Sequence, residues 1–191
     1  MNHLGTQIIE TERLLLRKFQ LSDAHAMYVN WASNPQVTRF LRKTPIASEK
    51  EALQYLENTI PKYNENSYYL WAMELKEKKQ AIGAMALNRR GFEIDCRYEI
   101  GCYLGEAFWR NGFSTEATGA VIRFGFEKLQ LKRIEAICAM DNIGAVAPLI
   151  ASGLICEGLC RNLYTNENGT YDCNFYAMTD TDYFAGKCQQ K

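Results

Sequence analysis

Residues 98–117 have the sequence YEIGCYLGEAFWRNGFSTEA, and they decide the fold of the chain. The stretch predicts a β-strand that ends at Leu104, followed by a short loop and then by a helix over residues 115–129. Gly112 lies at the end of the loop, where the backbone has to come close to another group. The helix is apolar on nearly every side, so we expect it to be largely buried.

Strand and helix patterns alternate on both sides of this segment. Upstream, they predict a strand, two helices and a pair of strands at residues 11–19, 23–32, 49–60, 68–75 and 81–88. Downstream, they predict a strand, a short helix and a final hairpin at residues 133–140, 144–152, 155–164 and 172–178. This order of elements predicts a mixed α/β sheet with helices on its faces.

Two serine residues mark the starts of the early helices. Ser22 is expected to cap the first helix, because its hydroxyl can accept a backbone N–H that has no partner within the helix. Ser48 and Glu51 form a capping box for the second helix, in which each side chain can satisfy the other residue's backbone donor. These signals predict that helices begin at about residues 23 and 49.

The composition is that of a globular protein without a net charge. A length of 191 residues suits one domain over residues 1–191, with a core over about 8–180 and a short tail at 181–191. The 22 basic residues balance the 22 acidic ones, and this argues against a nucleic-acid-binding protein. No apolar run approaches the ~20 residues that span a membrane, so we expect no membrane association.

The cysteines and the N-terminus predict the compartment. The first residues lack the charged-then-apolar layout of a signal peptide. The seven cysteines are an odd number without a repeated spacing, which is typical of reduced thiols in a cytoplasmic protein. Cys156 and Cys160 alternate along a predicted strand instead of having the spacing of a zinc knuckle, so no metal site is predicted.

The loop before the central helix has the features of an anion site. Consecutive N–H groups at a helix start, together with the helix dipole, favour a phosphate or pyrophosphate. Arg110 adds a positive charge beside them. A plain turn before the helix, with no ligand, is the competing interpretation, and the loop alone does not decide between the two.

Three segments together resemble one family. Residues 98–117 resemble the cofactor segment of GNAT-superfamily acetyltransferases, nearest to the branch of ribosomal-protein alanine N-acetyltransferases. Residues 141–158 (DNIGAVAPLIASGLICEG) and residues 11–17 (TERLLLR) resemble two further signatures of that branch. The resemblance implies a GNAT-like, mostly antiparallel sheet that splays at a cofactor cleft and is flanked by helices.

The same resemblance implies acetyl-CoA as co-substrate. In such enzymes the strand before the loop lends its backbone to the pantetheine arm, and the loop binds the pyrophosphate. The thioester would lie in the gap where the strand over residues 133–140 splays from the strand over residues 97–104. The implied cofactor residues are Cys102, Tyr103, Leu104, Arg110, Asn111, Gly112, Phe113, Ser114, Thr115 and Asn142.

Direct acetyl transfer to an amine needs an oxyanion donor and an outlet for the amine's proton. A backbone N–H of residues 102–104 could supply the donor. Glu99, in the cofactor strand, and Glu157, which matches a glutamate proposed as base in related enzymes, are the candidate bases. A paired structural carboxylate is the alternative for each. The chain has only two histidines, which argues against a Ser-His-Asp or Cys-His mechanism.

The acceptor implied is a primary amine. A protein N-terminus is the first expectation, by resemblance, and a small amine such as an amino sugar or polyamine is the alternative. Ala145 and Leu149 stand where related enzymes carry a Ser or a Tyr that would protonate the leaving thiolate. This departure leaves open a catalytically silent CoA-binding regulatory module. The sequence also leaves open a homodimer.

Overall fold

A computed structural model describes residues 1–41 and 44–188 of the chain, with side chains up to residue 186. These residues form one eight-stranded sheet in the order β1-β2-β3-β4-β5-β6-β8-β7. The strands are β1 (Ile9–Glu10), β2 (Leu14–Arg17), β3 (Tyr69–Leu75), β4 (Gln80–Arg90), β5 (Arg97–Leu104), β6 (Arg133–Ala139), β7 (Ile155–Asn166) and β8 (Gly169–Thr179). The helices are α1 (Ala24–Met27), α2 (Pro35–Thr38), α3 (Glu49–Thr59), α4 (Phe113–Glu127), α5 (Ile143–Ala151) and α6 (Asp180–Cys188).

The sheet opens between β5 and β6. Every other pair of neighbouring strands is antiparallel, whereas β5 and β6 run parallel. Their register covers only three residues of each strand, from Arg97 opposite Arg133 to Glu99 opposite Glu135. Beyond Glu99 the two strands diverge. The expected mixed, mostly antiparallel sheet that splays at a cleft is therefore confirmed.

The two faces of β5 belong to different parts of the molecule. Tyr98, Ile100 and Leu104 point into the core beneath α4, where they are buried with Val121 of that helix. Glu99, Gly101 and Tyr103 alternate to the opposite face. On that face α1 and α3 pack against small side chains of β3 and β4, such as Ala72, Ala84 and Ala86. The early helices thus cover mainly the β3–β4 part of this face.

The helix starts differ in detail from the capping signals. A 3₁₀ turn over Leu21–Asp23 precedes α1, and the Asp23 carboxylate accepts the Gln20 N–H at 2.8 Å. Ser22 lies within this turn, so its predicted capping role is wrong. Ser48 does cap α3, since its hydroxyl accepts the Glu51 N–H at 3.2 Å, but the Glu51 carboxylate accepts the N–H of Ala47 instead of that of Ser48. The tail predicted at residues 181–191 contains most of α6.

Candidate active site

A cleft of about 1100 Å³ occupies the space between the diverging strands. Its lining combines both strands, the loop before α4, the first residues of α5, the segment after α2 and the β7–β8 hairpin. Representative lining residues are Phe40, Glu99, Cys102, Tyr103, Leu104, Arg110, Gly112, Ser114, Thr115, Thr118, Ala136, Asn142, Ala145, Tyr164 and Phe175. The cleft therefore adjoins most of the predicted cofactor segment.

Strand β5 presents backbone groups to the gap. The Gly105 N–H donates to the Ile82 carbonyl of β4 at 2.9 Å. Because backbone groups alternate along a strand, those of Tyr103 also face β4, whereas those of Cys102 and Leu104 face the gap. The Leu104 carbonyl accepts the Trp109 indole N–H at 2.7 Å. The N–H groups of Cys102 and Leu104 and the Cys102 carbonyl are therefore the groups that β5 offers to a ligand, while Tyr103 contributes its side chain.

The loop before α4 carries a row of free backbone donors. Among the described residues, none of the N–H groups at positions 110–115 donates a backbone hydrogen bond of ordinary distance and angle. Arg110 and Gly112 have φ angles of 62° and 78°, and α4 begins at Phe113 directly after them. Unpaired N–H groups and the positive end of a 15-residue helix dipole make this row an anion site.

The loop is held from the side opposite the cleft by Arg13. Its guanidinium donates to the Glu116 carboxylate at 2.7 Å and to the Asn111 carbonyl at 2.8 Å, and it stacks on the Phe113 ring at 4.5 Å. A Cβ added to Gly112 would lie 3.3 Å from this guanidinium. Glycine therefore suits the positive φ of this position.

Only some side chains of this loop reach the cleft. Those of Arg110, Ser114 and Thr115 line it. The Phe113 ring is buried in the core, and the Asn111 amide donates to the Trp109 carbonyl at 3.0 Å. These last two residues therefore contribute their N–H groups and not their side chains.

Helix α5 begins at the mouth of the cleft. Asn142 is its N-cap residue, lines the cleft and uses no side-chain oxygen for capping. Ala145 and Leu149 also line the cleft, so neither of the two positions expected for an acid carries a proton donor. Pro148 lies in the middle of α5, where it leaves the exposed Gly144 carbonyl without its helical donor.

Cys102 lies open to the cleft, which Ser114 also lines. The surrounding walls desolvate the thiol and raise its pKa to about 12, so it is protonated at neutral pH. The two histidines lie elsewhere: His25 pairs with Glu49 at 2.9 Å, and His3 pairs with Glu93 at 3.0 Å.

The two candidate bases have different surroundings. Glu99 lies at the closed end of the gap, lines the cleft and accepts hydrogen bonds from Arg90. Glu157 lies in a bulge of the edge strand β7, does not line the cleft and is held by both terminal nitrogens of Arg133. The hydrogen bonds and charge of Arg133 hold the pKa of Glu157 below its usual value, which makes this carboxylate a weaker base.

Three parts of the site were not fully predicted from the sequence. Glu135 on β6 is 3% exposed, lines the cleft and pairs with Arg133 at 2.9 Å. Strand alternation could have placed it beside Glu99. The other two parts are the segment after α2 and the β7–β8 hairpin, which meet where Tyr164 donates to the Phe40 carbonyl at 2.7 Å and Asn166 to the Leu41 carbonyl at 2.8 Å. No local pattern signals this contact.

Two features are absent from the described residues. No group of three His, Cys, Asp or Glu side chains there converges as a metal site would require. Among the same residues, no helix is both long and apolar enough to cross a membrane.

Comparisons with known proteins agree with this geometry. The family described as Acetyltransferase (GNAT) domain matches residues 13–154. The uncharacterized N-acetyltransferase YoaA of Bacillus subtilis is 33% identical over 172 residues, which cover 90% of this chain and 96% of that protein.

Solved structures have the same fold at lower identity. The ribosomal-protein-S5-alanine acetyltransferase of Vibrio fischeri matches with a TM-score of 0.76 and 19% identity, over 93% of this chain and 98% of that one. MccE, a microcin C7 self-immunity acetyltransferase whose structure contains acetyl-CoA and AMP, matches with a TM-score of 0.77 and 18% identity, over 88% and 93%.

Proposed function

Since this chain belongs to the GNAT family of N-acetyltransferases, we propose that it moves the acetyl group of acetyl-CoA directly to a primary amine bound in the cleft. The observation that carries the proposal is the row of free N–H groups at residues 110–115 beside a gap that ends at Glu99. A pyrophosphate fits the first feature, and a thioester with an incoming amine fits the second.

The cofactor contacts follow from the groups that lack partners. The N–H groups of residues 110–115 would hold the pyrophosphate, with Arg110 adding charge. The Cys102 carbonyl and the Leu104 N–H would pair with the pantetheine amides. The Asn142 side chain would contact the cofactor at the opposite wall. MccE, with the same fold, binds acetyl-CoA, which supports this assignment.

In the reaction, we assign Glu99 as the base that accepts the amine's proton. It is the one of the two candidate carboxylates that lines the cleft. The Cys102 N–H would stabilise the oxyanion. Because Ala145 and Leu149 offer no proton, the thiolate of CoA would leave as the anion. Glu157 stays a candidate base only if its pair with Arg133 opens.

A protein N-terminus is the first acceptor class in this proposal, and a small-molecule amine is the alternative. We also propose a cytoplasmic setting, because the seven cysteines have no repeated spacing of the kind that a disulfide framework would show.

Calorimetry with acetyl-CoA, followed by a screen for amine-dependent release of free thiol, tests the proposal. The screen should contain peptide N-termini and small amines. We expect acetyl-CoA to bind and at least one amine to release CoA. Binding without release for any amine would identify the silent CoA-binding module instead. Absence of binding would overturn the proposal as a whole.

A further inference from the structure

We infer that the acceptor amine carries an anionic oxygen group, a carboxylate or a phosphate, close to its nitrogen, and that Arg97 binds this group. The inference rests on the proposed function, because it assumes that the amine lies beside Glu99. It narrows the acceptor to a chemical class that neither the sequence nor the family comparisons name.

Arg97 lies next to the proposed base. It is the first residue of β5 and lines the closed end of the cleft with Glu99. The two residues are two positions apart on one strand, so their side chains share a face and their Cα atoms are separated by roughly 7 Å. Arg90 is the residue of β4 opposite Arg97. A ligand that contacts Glu99 from the cleft thus lies within reach of the Arg97 guanidinium.

The hydrogen bonds at this end of the cleft leave Arg97 with unused donors. Arg90 donates to Glu99, and Arg133 donates to both Glu135 and Glu157. Arg97 approaches Glu135 with its Nε at 3.3 Å, but this buried N–H has no acceptor in hydrogen-bonding geometry. Among the described residues, the terminal nitrogens of Arg97 have no hydrogen-bond acceptor, although the side chain forms an ion pair with Glu135 through Nε.

The charges explain why Arg97 is available. Three carboxylates at this end, those of Glu99, Glu135 and Glu157, face three guanidiniums. Each carboxylate already has a hydrogen-bonded arginine other than Arg97. Arg97 is therefore not required to pair any of them, and its side chain is 43% exposed. A planar guanidinium with free parallel N–H groups binds carboxylate or phosphate through two hydrogen bonds.

This arrangement favours acceptors that carry an anion over those that do not. An amino acid, an aminoalkyl phosphate, or a peptide with an acidic residue at or beside its N-terminus can place its nitrogen at Glu99 and its anion at Arg97. A polyamine or a neutral amino sugar has no group for Arg97. Such amines would also bring positive charge close to the Arg97 guanidinium, whose terminal N–H groups they cannot satisfy. The inference therefore excludes them as preferred acceptors.

The test uses matched pairs of acceptors that differ only in the anion. Suitable pairs are peptides with Asp or Glu near the N-terminus against their Asn or Gln counterparts, and an aminoalkyl phosphate against the corresponding amino alcohol. For the parent enzyme we expect kcat/KM to be at least tenfold higher for the anionic member. The peptide pairs and the phosphate pair distinguish the two sources of the anion.

The variant Arg97→Gln should raise KM for the anionic member about tenfold or more, the scale of a hydrogen bond to a charged group. The KM for the neutral member and the affinity for acetyl-CoA should be unchanged. Arg97→Lys should bring the KM for the anionic member part of the way back to the parent value. Arg89→Gln is the matched control, because Arg89 is on the same sheet region but pairs with Glu93 and does not line the cleft. Thermal melting of each variant checks that it folds.

Two kinetic outcomes would overturn the inference. One is equal kcat/KM for the two members of every pair. The other is an equal loss for both members in Arg97→Gln. A calorimetric titration of N-acetylated anionic peptide and N-acetylated aminoalkyl phosphate, in the presence of CoA, supplies a readout that needs no turnover. Equal binding of these products by the parent and by Arg97→Gln would also overturn it. If acetyl-CoA itself fails to bind, the proposed function has failed instead.

Discussion

The two walls of the cleft are built in different ways. The cofactor wall comes from one continuous segment, residues 102–115, and presents mainly backbone N–H groups. The acceptor wall consists of side chains from separate segments, among them Phe40, Arg97, Glu135 and Tyr164. Backbone recognition tolerates changes of side chain. Side-chain recognition does not, so the acceptor wall is where related chains can differ in substrate.

The largest expected effect tests the acceptor wall. Glu99→Gln keeps the shape and hydrogen-bonding reach of the side chain but removes its basicity. Turnover should fall by roughly a hundredfold or more, the usual scale for the loss of a general base, while the affinity for acetyl-CoA stays unchanged. The defect should shrink at high pH, where more of the acceptor amine is neutral. Steady-state kinetics across pH and calorimetry provide the measurements.

Glu157→Gln is the matched control for this experiment. Because Glu157 lies outside the cleft lining and is bound by Arg133, we expect its replacement to leave turnover near the parent value. A hundredfold loss in Glu157→Gln with full activity in Glu99→Gln would reverse our assignment of the base. Parent activity in both variants would mean that the amine loses its proton to solvent.

The sequence predicts the cofactor wall well because that wall depends on local structure. Strand β5 covers the residues predicted for it, Arg97–Leu104, since its two faces differ in burial at successive positions. The side-chain directions on the edge strand β7 were harder to predict. Its bulge between Cys156 and Gly158 breaks the alternation, so the direction of the Glu157 side chain could not be inferred.

The acceptor wall could not be predicted because its contacts are long-range. The amide of Asn166 donates to the Leu41 carbonyl 125 residues away, and no local pattern records such a pair. The unused terminal N–H groups of Arg97 could not be predicted either, because the sequence does not show which carboxylate each arginine contacts. Local signals therefore identified the family and the local structure of the proposed cofactor wall, whereas the acceptor depends on tertiary structure.

A second, smaller effect tests the cofactor wall. Gly112→Val should weaken acetyl-CoA binding about tenfold, because a β-branched residue at a φ of 78° costs on the order of 1–3 kcal/mol and the loop would shift to avoid it. Gly112→Asn should lose much less, since Asn tolerates this conformation. Calorimetry measures both affinities. Equal affinity of the Val variant and the parent would show that the loop conformation is not part of the site.

The thiols offer a comparison of the cleft with the outer edge of the sheet. Cys102 in the cleft should react more slowly with a maleimide than the exposed Cys156 and Cys160, because its pKa is raised to about 12. Bound acetyl-CoA should slow the reaction of Cys102 with the maleimide about fivefold further. The reaction rates of the other two thiols should stay unchanged. Peptide mapping by mass spectrometry follows each site. Equal protection of all three would indicate a global change and not occupancy of the cleft.

The smallest effect concerns the pair between Glu157 and Arg133, and it uses pH to separate a structural carboxylate from a catalytic one. The hydrogen bonds from Arg133 lower the pKa of Glu157 in the folded state below its ordinary value of 4.5. A carboxylate with a lowered pKa stabilises the fold above its unfolded pKa, and this stabilisation is lost as the pH falls through the folded value. The Glu157 side chain is 46% exposed, so Glu157→Gln should lower the free energy of unfolding at pH 7 by at most about 1 kcal/mol.

Urea unfolding of the parent and of Glu157→Gln at pH 7 and at about pH 3.5 would measure this difference. It should be present at pH 7 and smaller in acid, because the parent carboxylate then takes up a proton and loses its charge for Arg133. A difference that grows in acid would mean that the pair does not form in solution. Glu157 would then be a free carboxylate on an exposed edge strand, and its claim to the role of base would have to be weighed again against that of Glu99.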